Sequence, residues 1–196
     1  MADYSAWKKH GITSDTPDKI MLGAGTIHKG LKYEDGAWNF ESSIFGATNG
    51  GNKFSITPEI TALSIDGAVV KTKGLDIKTG ETATMELNLA ELTPEIMQKS
   101  IFAQIGTSTA DGYSVLESKP QIEEGDYFEN FAFVGRTAIT GKPVIVIFDN
   151  ALCTSGLTYE GKAKEQSSFA ITMECCGNLT GDLDVLPYHI YYPTES

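Results

Sequence analysis

From Thr82 to Leu89 polar and apolar residues alternate without a break: Ala83, Met85, Leu87 and Leu89 on one side, Thr82, Thr84, Glu86 and Asn88 on the other. Successive side chains of an extended chain point to opposite faces, so this pattern demands a strand with one face in a core and one in water. The period then changes. Thr93 suits a helix N-cap, Pro94 the first helical position, and Glu95 the positive end of the helix dipole. Ile96, Met97, Ile101 and Ile105 fall at helical spacing, and Gly106 is a stop signal, which predicts a helix over about 93–105 packed on a sheet.

Period two governs most of the remainder. Ile20 to Ile27 reads as a strand broken by Gly23 and Gly25. Phe54, Ile56, Pro58 and Ile60 alternate with Ser55, Thr57 and Glu59, and Pro58, which cannot donate to a ladder, places that strand at an edge or on a bulge. Asp66-Gly67 before Ala68–Lys71 is a hairpin signal. Phe131 and Phe133 alternate, Val144 to Phe148 is a continuous apolar run that fits a strand buried on both faces, and Phe169, Ile171, Met173 and Cys175 share one side of a further strand. Tyr188 to Tyr192 adds a last short one. One helix among many short strands, with 20 glycines to serve the turns, predicts a mainly β fold, a sandwich or barrel-like body with one flanking helix. No repeat or low-complexity linker divides the 196 residues, so residues 1–196 are expected to form a single domain with a polar N-terminal arm over residues 1–19.

Residues 29–53 stand apart. They carry five glycines, from Gly30 to Gly51, and Tyr33, Trp38, Phe40, Ile44 and Phe45. An irregular segment of this length is uncommon inside a domain and usually serves a function or a partner. Two readings are open: these side chains meet a neighbouring subunit, or the segment folds back on its own core.

Catalytic patterns are wanting. His10, His28 and His189 are widely spaced with no partner at metal-ligand spacing, and there is no Gly-x-Ser-x-Gly elbow. Gly46 to Lys53 has the look of a phosphate loop but lacks the Gly-Lys-Ser/Thr ending and precedes a strand instead of a helix. Gly23-Ala24-Gly25 opens like a dinucleotide fingerprint, but His28 stands where its third glycine belongs. The expectation is no enzyme, no cofactor and no metal.

The 26 acidic and 15 basic residues leave a formal net charge of −11, a sign that repels a phosphate backbone and disfavours ordinary nucleic-acid binding. A conduit that lets DNA pass without adhering would want that sign. Cys153, Cys175 and Cys176 form no paired framework and read as free thiols of a reducing compartment. The first residues lack an apolar signal core, and the run Val144–Phe148 is too short to span a membrane.

Several segments taken in order resemble the major tail protein, or tail tube protein, of long-tailed phages of Gram-positive bacteria. They are Leu22-Gly23-Ala24-Gly25-Thr26-Ile27, then Gly46-Ala47-Thr48-Asn49-Gly50-Gly51-Asn52-Lys53 running into the strand that ends Glu59-Ile60. The Asp66-Gly67 turn, Lys73-Gly74-Leu75 and the strand-to-helix passage Ala83 to Thr93 complete the set. The resemblance covers the first half well and the second half only in general character.

The resemblance implies a tube fold shared with contractile tails and type VI secretion tubes, a β-sandwich with a flanking helix assembled as stacked six-fold rings. It implies a virion tail location after assembly in the host cytoplasm. The partners it implies are further copies of the chain, a tape-measure protein, and tail terminator and distal tail proteins, with DNA passing through unbound. On this reading Thr82, Thr84, Glu86 and Asn88, with Thr172 and Glu174, are candidates to line the lumen. Tyr33, Trp38, Phe40, Ile44 and Phe45 are candidates for contacts between subunits. The alternative is a β-sandwich carbohydrate-binding or adhesin module, for which Trp38 and Phe40 could supply an aromatic platform.

Overall fold

The structure is a computed structural model that describes residues 10–159, 161, 163–164 and 166–194. The expected N-terminal arm therefore lies partly outside the described residues; its remainder is largely exposed and holds a single helical turn, α1 (Thr16–Lys19). β1 (Met21–Lys29) follows, then the small β2 (Tyr33–Glu34) and β3 (Ala37–Trp38), the one-turn α2 (Phe40–Ser43) and β4 (Ile44–Gly46). Two long strands come next, β5 (Lys53–Ala62) and β6 (Asp76–Leu89), then α3 (Pro94–Ser100) and the hairpin β7 (Ala103–Gly106) and β8 (Val115–Ser118). The second half supplies β9 (Phe128–Thr137), β10 (Pro143–Cys153), β11 (Thr158–Tyr159), β12 (Phe169–Cys175) and β13 (Tyr188–Tyr191).

One antiparallel sheet dominates, in the order β4-β1-β9-β10-β12-β6-β5, so the fold is mainly β and sandwich-like as the periodicity predicts. β10 holds the two halves together. Its first part, Ile145 to Phe148, pairs with β13, and its last part, Ala151 to Cys153, pairs with β12. The sheet then curls until its ends meet. Phe54 of β5 packs against Phe133 of β9 with ring centroids 5.4 Å apart, although three strands lie between them in the sheet order. Just beyond β4, Thr48 bridges Leu89, the Asn49 N–H donates to the Asn88 carbonyl (2.8 Å), and the Ala90 N–H donates to the Ala47 carbonyl (2.8 Å). Residues 47–49 thus join the β4 edge to the end of β6 and close the sheet at that end.

The core between the two halves is built from the residues that alternation marks. Ala83, Met85, Leu87 and Leu89 of β6, Phe131 and Phe133 of β9, and Phe169, Ile171, Met173 and Cys175 of β12 are all buried together. β10 is buried on both faces, as its unbroken apolar run requires: Val146 and Phe148 join the main core, whereas Ile145 and Ile147 face a second, smaller one with Leu31 and Ala132. Trp38 and Phe40 cover that second core from outside.

Three expectations need correction. The helix ends at Ser100, not near 105, because Phe102 takes a left-handed φ of 51° and the chain then pairs as β7; Ile96 is buried, but Ile101 and Ile105 are exposed. The segment 68–71 after the Asp66-Gly67 turn is not a return strand. It finds nothing to pack against, with Val69 96% exposed, and the chain turns back only at β6. Residues 29–53 are not structureless but hold β2, β3, α2 and β4.

Pro58 behaves as its chemistry requires. β5 is the end strand of the sheet, and its register with β6 shifts between Glu59 and Ile60. In β1 the register with β9 shifts between Leu22 and Thr26, where Gly25 (φ 71°) lies so close to the Phe133 ring that an added Cβ would meet it at 2.5 Å.

Candidate functional site

The six residues expected to share a polar face do share one. Register places Lys53 and Thr172 on either side of Glu86, and Ser55 and Glu174 on either side of Thr84, while Thr82 faces Thr57. These positions alternate with the buried Ala83, Met85 and Leu87, so they stand on the outer surface of β5, β6 and β12. Thr82 and Glu86 are exposed, and Thr84, Asn88, Thr172 and Glu174 are half-buried.

The charges on this face are partly matched. Lys53 Nζ sits 2.5 Å from Glu86 Oε1 across the strand pair, leaving Glu174 as the acid without such a partner among the six. Asn88 has a different task. Its Nδ2 donates to the Gly51 carbonyl (2.9 Å), holding the Gly50-Gly51 turn where the chain passes from the closing residues 47–49 into β5.

The five large side chains of residues 29–53 divide. Phe45 packs edge-on against Phe128 (5.4 Å) and Phe131 (5.1 Å) of the main core. Trp38 and Phe40 cover the second core. Tyr33 and Ile44 remain exposed. The segment is anchored by His28, which is buried on β1: its Nε2 lies 2.8 Å from Thr26 Oγ1, its Nδ1 lies 2.9 Å from Ser43 Oγ, and its ring meets Phe40 edge-on. Burial pulls this imidazole below the ordinary histidine value.

One surface escaped the sequence reading. Beyond Pro58 on β5 and Gly80 on β6, the two strands run on as a ribbon exposed on both faces, joined by residues 63–75, which are exposed except for the half-buried Leu75. Its outer part carries Ile60, Leu63, Ile65, Val69, Val70 and Ile77, all in water. At the base of the ribbon Glu81 is a latch. It pairs with Lys78 (2.9 Å) and accepts a hydrogen bond from the Tyr188 hydroxyl (3.4 Å), tying the ribbon to β13. The available signal was the cluster of apolar residues around Asp66-Gly67, in a stretch that reads otherwise as a turn.

Among the described residues no group of three or more His, Cys, Asp or Glu could hold a metal ion, and no helix is long and apolar enough to cross a membrane. Cys153 and Cys175 are buried and Cys176 is half-buried, all as free thiols.

Fold and surfaces together define a mainly β protein distinguished by its faces, edges and one projecting ribbon. No family model matches the chain and no curated protein matches it. The chain is similar to a chain of the virion of a native gene transfer agent particle, at 14% identity and a TM-score of 0.41, over 79% of this chain and 92% of that one. It is likewise similar to a chain of the tail of an empty gene transfer agent particle with C6 symmetry, at 13% identity and a TM-score of 0.41, with the same coverage.

Proposed function

We propose that this chain is a structural subunit of a phage-type tail, which assembles with copies of itself into stacked rings that enclose a channel for DNA. The observation that carries the reading is the β5–β6 ribbon. A two-stranded ribbon is marginal in water, and one that leaves six aliphatic side chains exposed is costly to keep unless another molecule covers it. A second copy is the natural cover. Among the described residues β5 is the end strand, paired only with β6, and an edge that invites pairing is a liability for a monomer but an adhesive for a ring or stack. The order of motifs that resembles tail tube proteins supports the same reading.

In such a tube the polar face of Thr82, Thr84, Glu86, Asn88, Thr172 and Glu174 lines the lumen. Hydroxyls, an amide and carboxylates there give a DNA phosphate nothing to hold, and the charge of the neighbouring Lys53 is already met by Glu86. Ile44, exposed on residues 29–53, joins the contacts between subunits; Trp38, Phe40 and Phe45 support the segment from within the subunit. The N-terminal arm bridges to a neighbouring ring. Tape-measure, terminator and distal tail proteins are the partners at the ends of the tube, the virion tail is its location, and the subunit has no catalytic role.

Electron microscopy of the concentrated, purified protein tests this directly, with hollow tubes or rings as the expected result. The double variant Val69→Asp/Val70→Asp should keep the thermal unfolding of the parent and lose the tubes. A parent protein that stays monomeric at every concentration refutes assembly, and tubes formed by the double variant refute the role of the ribbon. Deleting all of residues 29–53 is not a fair test, since it would remove Leu31 and Phe45 from the subunit's own packing.

A further inference from the structure

The outer side of β10 and β13 carries a concave surface separate from both the ribbon and the polar face of β6. It is a groove of about 440 Å³ between the β2–β3 hairpin and β13. Aromatic rings form one wall. Trp38 is met edge-on by Tyr33, with centroids 5.4 Å apart, and by Tyr191, at 5.0 Å. Packing against the second core holds Trp38 in place, while Tyr33 is 60% exposed and Tyr191 47% exposed. Beside them, with His189 sharing the Tyr191 face of β13, stands a polar pair, His189 Nε2 at 3.3 Å from Asp149 Oδ2. Both backbones are held: the Asp149 N–H donates to the Pro187 carbonyl (2.9 Å), and His189 pairs with Ile147 across the β10–β13 ladder.

We infer that this groove binds a neutral saccharide. A pyranose ring has an apolar C–H face and a rim of hydroxyls, and the groove offers both complements. The exposed Tyr33 and Tyr191 rings present apolar, weakly negative faces for the C–H groups to stack on. The Asp149 carboxylate accepts from two neighbouring hydroxyls, and the His189 imidazole supplies a further donor or acceptor. A purely apolar ligand would take Asp149 out of water with nothing in return. An anionic one would find a single lysine, Lys32, among the lining residues against two carboxylates, Asp149 and Glu34, on a chain of net charge −11. The volume falls within the range of small-ligand sites. Phe40, which with Trp38 could have formed a platform, instead lies against His28 and takes no part.

The test is titration of the full chain with neutral cello-, malto- and chito-oligosaccharides, followed by saturation-transfer NMR and by tryptophan fluorescence. Saturable binding to at least one series is expected, weakened roughly tenfold or more in Asp149→Asn and in Tyr33→Ala. Thermal unfolding should be unchanged in both variants. No saturable binding at roughly 10 mM sugar overturns the inference. So does binding that neither substitution weakens, since the sugar would then sit elsewhere. Tyr191→Ala is a third variant, useful only if it folds; the first two decide the matter. The ribbon variant Val69→Asp/Val70→Asp should bind sugar like the parent, so failure of assembly and failure of this site are read separately.

Discussion

Lys53 and Glu86 stand directly opposite one another in the β5–β6 register, and their charged groups meet at 2.5 Å on the solvated face of the sheet. The pair is exposed at both ends, so its worth to the fold is small, about 0.2–1 kcal/mol, and salt screens it. Its larger effect is on the potential of that face. Lys53→Gln should lower the urea midpoint only slightly, by an amount that shrinks in high salt. A loss well above 1 kcal/mol would show that the pair is structural.

Two glycines on one strand separate backbone strain from steric overlap. Gly23 (φ 91°) has open space where a Cβ would go, whereas at Gly25 (φ 71°) the Cβ would meet the Phe133 ring at 2.5 Å. Gly23→Ala should cost about 1 kcal/mol, the strain of a left-handed residue alone. Gly25→Ala adds overpacking of a core ring and should cost about 2 kcal/mol or more. Chemical denaturation of the two variants gives the order directly.

His28 makes folding sensitive to acid. Its folded-state value is depressed by burial, so the unfolded chain takes up a proton first as pH falls. Stability should be full above about pH 6.5, the ordinary histidine value, and decline as pH drops below it toward the folded value. Urea midpoints at pH 8 and pH 5.5 check this. In His28→Gln the part of the decline due to this residue should vanish, along with some stability at every pH from the lost Thr26 and Ser43 contacts.

The thiols should differ in reactivity. Burial is the main cause that pushes Cys175 up to about 12, and it raises Cys176 as well. Only a thiolate attacks an alkylating reagent, so neither should be labelled quickly at pH 8, and Cys175 should be the slower of the two. Peptide mapping after native iodoacetamide treatment should find Cys175 intact, and unfolding in denaturant should expose all three cysteines.

Truncating the inner aromatic cluster should be severe. Phe131 is fully buried and touches both Phe45 and Phe128, so Phe131→Ala should cost about 3–5 kcal/mol. Calorimetry or urea melts would register this as a large fall in the unfolding transition.

How much was legible beforehand can be followed residue by residue. Ala83, Met85, Leu87 and Leu89 were assigned to the core by period alone, and Val144–Phe148 to a strand covered on both sides; the structure places them so. Thr93 was an N-cap by type, and its Oγ1 does accept from the Ile96 N–H at 3.2 Å. The polar face of β5, β6 and β12 was half legible. Alternation could say which residues point outward, but not that β12 lies beside β6, since that adjacency joins residues far apart in the chain. The helix end was misread because Ile101 and Ile105 keep helical spacing although the backbone leaves the helix at Phe102. Trp38, Phe40 and Phe45 could be seen to need cover, but nothing local said that the cover was the subunit itself.

Period two and helix capping are local chemistry, so the sequence by itself determined the long core strands, the start of the helix capped by Thr93 and which side of those strands is apolar. That same patterning made the Thr82–Leu89 face polar and its neighbours buried. Only the tertiary structure decided that residues 47–49 close the sheet against β6, and that residues 29–53 cover a second core. It alone showed that the ends of β5 and β6 outrun the body to leave an apolar ribbon in water. Each of these depends on where distant strands end relative to one another, a matter of long-range register and sheet curl that no short window of residues contains.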